Sequence, residues 1–171
     1  MNNTSKTSVR TLVMLALLVA MSIVFSRVLS ISTGFVRFNL GSLPVLLAAL
    51  LFGPGAGFAV GAVADIIGGV LAGYAINPLI TLGAGAIGLV AGYAWQKLPD
   101  YRTGLRLSIS VLLGHFVGSM VINSLALRIF YGYAWSVLLA RIPNALVRTA
   151  VNTVLLRILL ENRALMAVAK R

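Results

Sequence analysis

Asp65 is the first residue that calls for a chemical explanation. It follows Gly57-Phe-Ala-Val-Gly-Ala-Val-Ala and sits inside a long apolar stretch. A carboxylate near the middle of a membrane-spanning helix costs roughly 2.5–3.5 kcal/mol on insertion scales, so its retention points to function. Three roles are open to it: accepting hydrogen bonds from a ligand's amino or amide edge, pairing with an arginine, or carrying a coupling proton. The complementary charge is plentiful, because Arg27, Arg37, Arg128, Arg141 and Arg148 all fall on one side of the apolar segments, with Asp65 the one acid within reach. Lipid headgroups explain any single one of these guanidinium groups better than they explain the set. Arg148 stands about a turn and a half inside its helix, where a ligand anion or Asp65 is the natural partner.

Two polar stripes accompany these charges. At about 100° per residue, Arg141, Asn144, Arg148 and Asn152 fall within an arc of about 80°, while Val147, Val151 and Val154 point elsewhere. His115, Ser119 and Asn123 recur at four-residue spacing on the preceding helix. Facing each other, the two stripes would line a cavity. His115 is the single histidine. A lone histidine is more often a packed, hydrogen-bonded residue than a ligand contact, yet it belongs with the candidates. One histidine and three distant acids (Asp65, Asp100, Glu161) cannot assemble a metal site.

What is missing narrows the chemistry. Without cysteine there is no thiolate or disulfide chemistry. There is no phosphate-binding Gly-x4-Gly-Lys-Ser/Thr loop and no Ser/His/Asp set with credible spacing, so the chain is not expected to be an enzyme. Uphill transport would draw on a partner or on an ion gradient.

The elements that must position these residues are transmembrane helices. Of the 171 residues 60% are hydrophobic and only 10% charged, too little polar surface for a domain that meets water all round. The net charge of +11 would suggest nucleic acid if the cations were clustered, but they are scattered between apolar runs, as in the loops of a bundle threaded through a bilayer. Spans of about 20 apolar residues are needed. The charges, the Phe52-Gly-Pro-Gly55 turn and the Tyr74-Ala-Ile-Asn-Pro78 break divide the chain into spans at about 9–29, 41–52, 55–73, 79–96, 105–127 and 143–163. The second is short for a full crossing, and Pro143 suits a first helical turn.

The expected fold is therefore an all-α membrane protein: one domain over residues 1–171, a bundle of six transmembrane helices with both termini cytoplasmic. That orientation puts Lys6, Arg10, Lys97, Arg102, Arg106, Arg157, Arg163, Lys170 and Arg171 inside, nine cations against the five arginines outside. The basic start could pass for a signal peptide, but no small-residue cleavage site follows it. Small residues four apart (Ala16/Ala20, Gly57/Gly61, Ala84/Gly88/Gly92, Gly114/Gly118) allow close helix packing, and the Ala16/Ala20 pair is the best placed to face a partner.

These features admit a ligand-binding subunit, a self-sufficient proton-coupled transporter using Asp65, or an assembly protein whose arginines are headgroup anchors. Carriers that act alone are mostly larger and built from repeats, and no convincing repeat joins the two halves here.

The stretch Val36-Arg-Phe-Asn-Leu-Gly-Ser-Leu-Pro44, continuing through Leu51-Phe-Gly-Pro54 and Gly61-Ala-Val-Ala-Asp-Ile-Ile-Gly68, resembles the substrate-binding (S) components of energy-coupling factor (ECF) vitamin transporters, folate-type members in particular. Ser26-Arg27 and the Arg141-Ile-Pro-Asn opening of the last helix are similar to the same group. The loop Gly73-Tyr-Ala-Ile-Asn-Pro-Leu-Ile-Thr81 departs from the folate-type pattern. The resemblance implies a bacterial plasma-membrane subunit that binds a vitamin at the extracellular side. It also implies a membrane coupling protein (the T component) and two cytoplasmic ATPases as partners. These ATPases would use ATP and Mg, with no cofactor in this chain. Ala16 and Ala20 match the family's docking motif for the coupling protein.

A folate-like ligand also fits the residues. Its anionic tail would meet Arg27, Arg37, Arg141 or Arg148, and its flat ring would stack on Phe38, Tyr74 or Tyr131 and offer its amino edge to Asp65 or Asn77. Asn39, His115, Asn123 and Asn144 complete the candidate contacts. The cation surplus disfavours thiamine but does not separate folate from pantothenate or another anion.

Overall fold

The computed structural model describes residues 9–32, 37–99 and 103–162, without the side chains of residues 31, 32 and 37. Six helical rods account for most of it. They are α1 (Val9–Arg27), α2 (Ser42–Phe52), α3 (Pro54–Leu71), α4 (Pro78–Lys97), a long fifth rod, and α8 (Arg141–Glu161). The fifth rod runs from α5 (Thr103–Gly114) through a π-helical segment, His115–Ile122, into α6 (Asn123–Tyr131). A short α7 (Trp135–Leu139) precedes α8.

Local chemistry sets the breaks where the sequence places them. Gly53, at φ +98°, ends α2 while its N–H bonds to Ala49 O, and Pro54 then opens α3 with a preset φ. Asn77 caps α4: its Oδ1 accepts from the N–H groups of Leu79 at 3.0 Å and Ile80 at 3.3 Å, with Pro78 in the first turn.

Several features depart from the sequence expectation. Between α1 and α2 the chain forms an antiparallel hairpin, β1 (Ser30–Ser32) with β2 (Arg37–Asn39), Ile31 opposite Phe38. Strands this short have no alternation long enough to be read from sequence. The fifth rod continues past Leu127 to Tyr131, because Arg128 lies in the helix and its guanidinium bonds to Tyr133 O at 3.0 Å instead of ending it. The last helix begins at Arg141, two residues before Pro143. Among the described residues four helices qualify as bilayer spans by length and apolarity: α1, α3, α4 and the 29-residue Thr103–Tyr131 rod. The 11-residue α2 is too short, and α8 has the length but carries its polar stripe. Lys6, Arg102, Arg163, Lys170, Arg171 and Asp100 lie outside the described residues.

The core sits where α2, α3, α4, α5 and α8 converge on Leu46, Val60, Ala91, Leu107, Val111 and Leu156, each no more than 1% exposed. Around it the exterior is apolar: Leu12, Val13, Leu17, Leu71, Leu112, Phe116, Leu146 and Val154 all point outward. In water such a surface would aggregate, whereas in hydrocarbon it is the expected exterior. The inner helices meet through glycine. A Cβ added at Gly88 would lie 2.5 Å from the backbone of Gly57, and one at Gly118 would lie 2.5 Å from Gly83 O, so α4 is pressed between α3 and the π segment with backbone against backbone.

Candidate functional site

A partly open cavity of about 230 Å³ lies between the hairpin and the helices that the core holds together. The α1 wall contributes Ser22, Ser26 and Arg27. Asn39, Gly41 and Ser42 form its lip and the start of α2; Gly61, Ala64 and Asp65 supply the α3 wall. Asn123 and Arg148 reach in from α6 and α8.

The glycines make the space. Gly41 lies so close to α1 that a Cβ there would overlap Ser26, and Ser22 Oγ donates to Gly41 O at 2.7 Å, which ties α1 to the lip. Gly68 leaves room for Arg27, whose Nε would sit 3.2 Å from a Cβ at that position. The Arg27 guanidinium instead lies over the Tyr74 ring, 5.4 Å from its centroid. Arg148 and Asn39 both line the cavity, where Arg148 donates from Nη2 to Asn39 Oδ1 at 3.3 Å, and the same oxygen accepts from Gly41 N at 3.2 Å. Asp65 accepts from Thr81 Oγ1 at 2.8 Å.

Charge is unbalanced here. Among the described residues no ion pair joins Arg27 or Arg148 to an acid, and the Nε of each is buried without a protein partner. Asp65 takes a hydroxyl, not an arginine, so of its three sequence-derived roles the intramolecular pairing is not the one adopted. Two guanidinium groups and one carboxylate around one cavity are chemically suited to an anion that also carries hydrogen-bond donors.

Of the sequence candidates, Arg27, Asn39, Asp65, Asn123 and Arg148 come together on this cavity. The others are placed elsewhere. Asn77 spends its side-chain oxygen capping α4. Tyr74 is exposed and touches the site only through Arg27. Phe38 is half-buried on β2, and Tyr131 is exposed at the end of α6. Arg141 donates to Ser124 Oγ at 3.1 Å, and Asn144 is half-buried on α8 outside the cavity lining. His115 is buried behind the wall. The side chain of Arg37 lies outside the described residues. Ala16 and Ala20 are exposed on α1.

Ser22, Ser26 and Ser42 line the cavity and Thr81 bonds to Asp65, although none of the four is among the candidate contacts drawn from the sequence. Ser22 and Ser26 are four apart and end in Arg27, a short polar stripe on an otherwise apolar helix that could have flagged them. Ser42 and Thr81 gave no signal, because single hydroxyls near helix starts are common. The π segment has no counterpart in the residue pattern. Its wider i→i+5 winding starts at His115, and such segments recur at functional sites.

Residues 6–165 match the family model described as ECF-type riboflavin transporter, S component. The chain is 30% identical over 133 residues to the folate transporter FolT of Clostridium novyi (strain NT), covering 76% of this chain and 75% of that protein. It is similar to the crystal structure of FolT bound with folic acid, with a TM-score of 0.71 and 25% identity over 86% of this chain and 90% of the other. The S component of a bacterial ECF transporter superposes with the same TM-score at 20% identity, covering 95% and 98% of the two chains, and supports the fold.

Proposed function

The chain belongs to the S-component family of ECF-type transporters, a membrane protein family, and from that premise we propose that it binds folate or a closely related anionic vitamin at the extracellular side of a bacterial plasma membrane. The observation that carries this reading is the cavity in which Arg27 and Arg148 face Asp65 without acidic partners of their own. A ligand with a carboxylate tail and an amino-substituted ring answers both charges. The folate transporter relative and the folic-acid-bound structure support the same ligand class.

In this reading the six rods cross or enter the bilayer with both termini in the cytoplasm, consistent with nine cations on that side against five on the other. The protein hydrolyses nothing itself. It docks through the outward Ala16/Ala20 face of α1 on a membrane coupling protein, which two ATPases energise with ATP and Mg. The cavity is below the usual range of about 300–1,000 Å³ for vitamin-sized ligands. A vitamin that engages Arg148 would exchange the Arg148–Asn39 hydrogen bond for its own.

Riboflavin is the second reading, favoured by the description of the matching family model. It has a flat, donor-bearing ring but no carboxylate, and would leave the arginine excess unanswered.

Isothermal titration of the detergent-purified chain against folate, riboflavin, pantothenate and thiamine, with Trp95 and Trp135 fluorescence in parallel, separates these ligands. One-to-one folate binding by the chain alone is the expected result. Riboflavin binding without folate binding selects the second reading. A folded protein that binds none of the four removes the vitamin-binding reading altogether.

A further inference from the structure

Behind the cavity, three buried polar side chains from three helices meet, with no ionic partner among the described residues. Asn152 Nδ2 on α8 lies 2.9 Å from Ser42 Oγ at the start of α2 and 2.9 Å from His115 Nε2 at the start of the π segment. His115 and Asn152 are 1% and 0% exposed and do not line the cavity, whereas Ser42 does.

The donors can be counted. An amide nitrogen carries two N–H groups, and here one is directed at each neighbour. Nε2 of His115 is then the acceptor, which places the ring proton on Nδ1. The Ser42 oxygen accepts from Asn152, so its own hydrogen remains to be placed. His115 Nε2 is 3.5 Å away, and its single in-plane acceptor position is already taken by Asn152. The cavity, which Ser42 lines, is the other direction open to that hydrogen. The opposite amide orientation would leave two buried N–H groups of Asn152 without protein partners. The observed one leaves its oxygen and one ring N–H, and unpaired buried N–H groups are the rarer and costlier defect.

We propose that Ser42 is a specificity-determining donor to an acceptor oxygen of the bound vitamin, a carbonyl or carboxylate, and that His115 and Asn152 are positioning residues that aim it. Arg148, one turn before Asn152 on α8, lines the same cavity, so this wall presents donors while Asp65 on α3 presents the acceptor. The assignment rests on the vitamin-binding reading and adds polarity to it: the ligand enters with its acceptor oxygen toward α2 and α8 and its amino edge toward α3.

The single histidine makes the test clean. In full-length protein labelled with ¹⁵N-histidine in detergent, every imidazole signal from the natural sequence belongs to His115. The expected ligand-free spectrum has a protonated Nδ1 and an unprotonated Nε2. A protonated Nε2 overturns the proposal, because Asn152 and Ser42 would then both be turned the other way.

Folate titration supplies the second arm. Ser42→Ala is expected to weaken binding about tenfold, the size of one well-made hydrogen bond to a polar or charged group, with the His115 signals unchanged. Asn152→Asp is expected to draw the Ser42 proton inward, protonate Nε2 and lose a similar factor. Unchanged folate affinity in Ser42→Ala overturns the ligand contact. Absence of folate binding in wild-type protein that shows the Nδ1–H form overturns the folate reading instead, and the ligand contact with it.

Discussion

The two halves of this bundle are held together by different physics. On the α3–α4 side the helices approach until backbone meets backbone, Gly57 against Gly88 and Gly61 against Ala84, and the Thr81–Asp65 hydrogen bond is a lone polar link beyond those points among the described residues. On the α8 side the contacts are made by polar groups at the ends of side chains. Arg148 bonds to Asn39, Asn152 to Ser42 and His115, and Arg141 to Ser124. In hydrocarbon there is little hydrophobic force between helices, so close van der Waals packing and interhelical hydrogen bonds are the two available means. The first kind of contact makes a fixed wall. The second makes one whose hydrogen bonds a polar ligand can exchange for its own, and the cavity lies where the two meet.

The largest effect should come from violating the glycine side. Gly88→Val places new atoms within 2.5 Å of the Gly57 backbone, which α3 cannot yield without separating from α4. A loss of about 3 kcal/mol or more is expected, seen as disappearance of the monodisperse peak in size-exclusion chromatography. A well-behaved Gly88→Val protein would show that the α3–α4 wall is not rigid.

On the polar side the expected outcome divides in two. Arg148→Met removes a buried guanidinium that has no acidic partner among the described residues, so thermal stability should hold or rise. Folate affinity should meanwhile fall about 100-fold, as for loss of a charged hydrogen-bonding partner. Calorimetry and a melting curve on the same sample read both. Parallel losses of stability and affinity would place Arg148 in the structural network instead of the binding site.

A smaller effect is expected at Asn152→Ala. It leaves His115 Nε2 and Ser42 without their shared donor and should cost about 1–3 kcal/mol in stability, read as a lower melting temperature. The smallest effect has the opposite sign. Gly69 on α3 has no atom within 4 Å of a would-be Cβ, so Gly69→Ala should stabilise by roughly 0.5–1 kcal/mol through helix propensity alone. Equal penalties at Gly69 and Gly88 would mean that glycine serves α3 and α4 by flexibility and not by proximity.

Much of this was legible in the residues. The apolar runs and scattered cations require a membrane helix bundle, because backbone polar groups in hydrocarbon must be satisfied within each segment. The Gly53-Pro54 and Asn77-Pro78 breaks follow from φ preferences and from missing N–H groups that no tertiary contact overrides. Asp65, Arg27 and Arg148 stood out because a charge in an apolar stretch is costly wherever the stretch folds.

Tertiary structure decided which polar groups meet. Asn77 and Asp65 look equally available in sequence, yet one is consumed by its own helix and the other lines a cavity. The arginines of the last helix separate in the same way: Arg141 is taken up by Ser124, while Arg148 lines the cavity. Ser42 and His115 are 73 residues apart and acquire a common partner only when α2, the π segment and α8 converge. Cost of burial is a property of a residue and its neighbours along the chain, so sequence reports it; hydrogen-bond direction depends on atoms brought together across the bundle, so only the fold can set it.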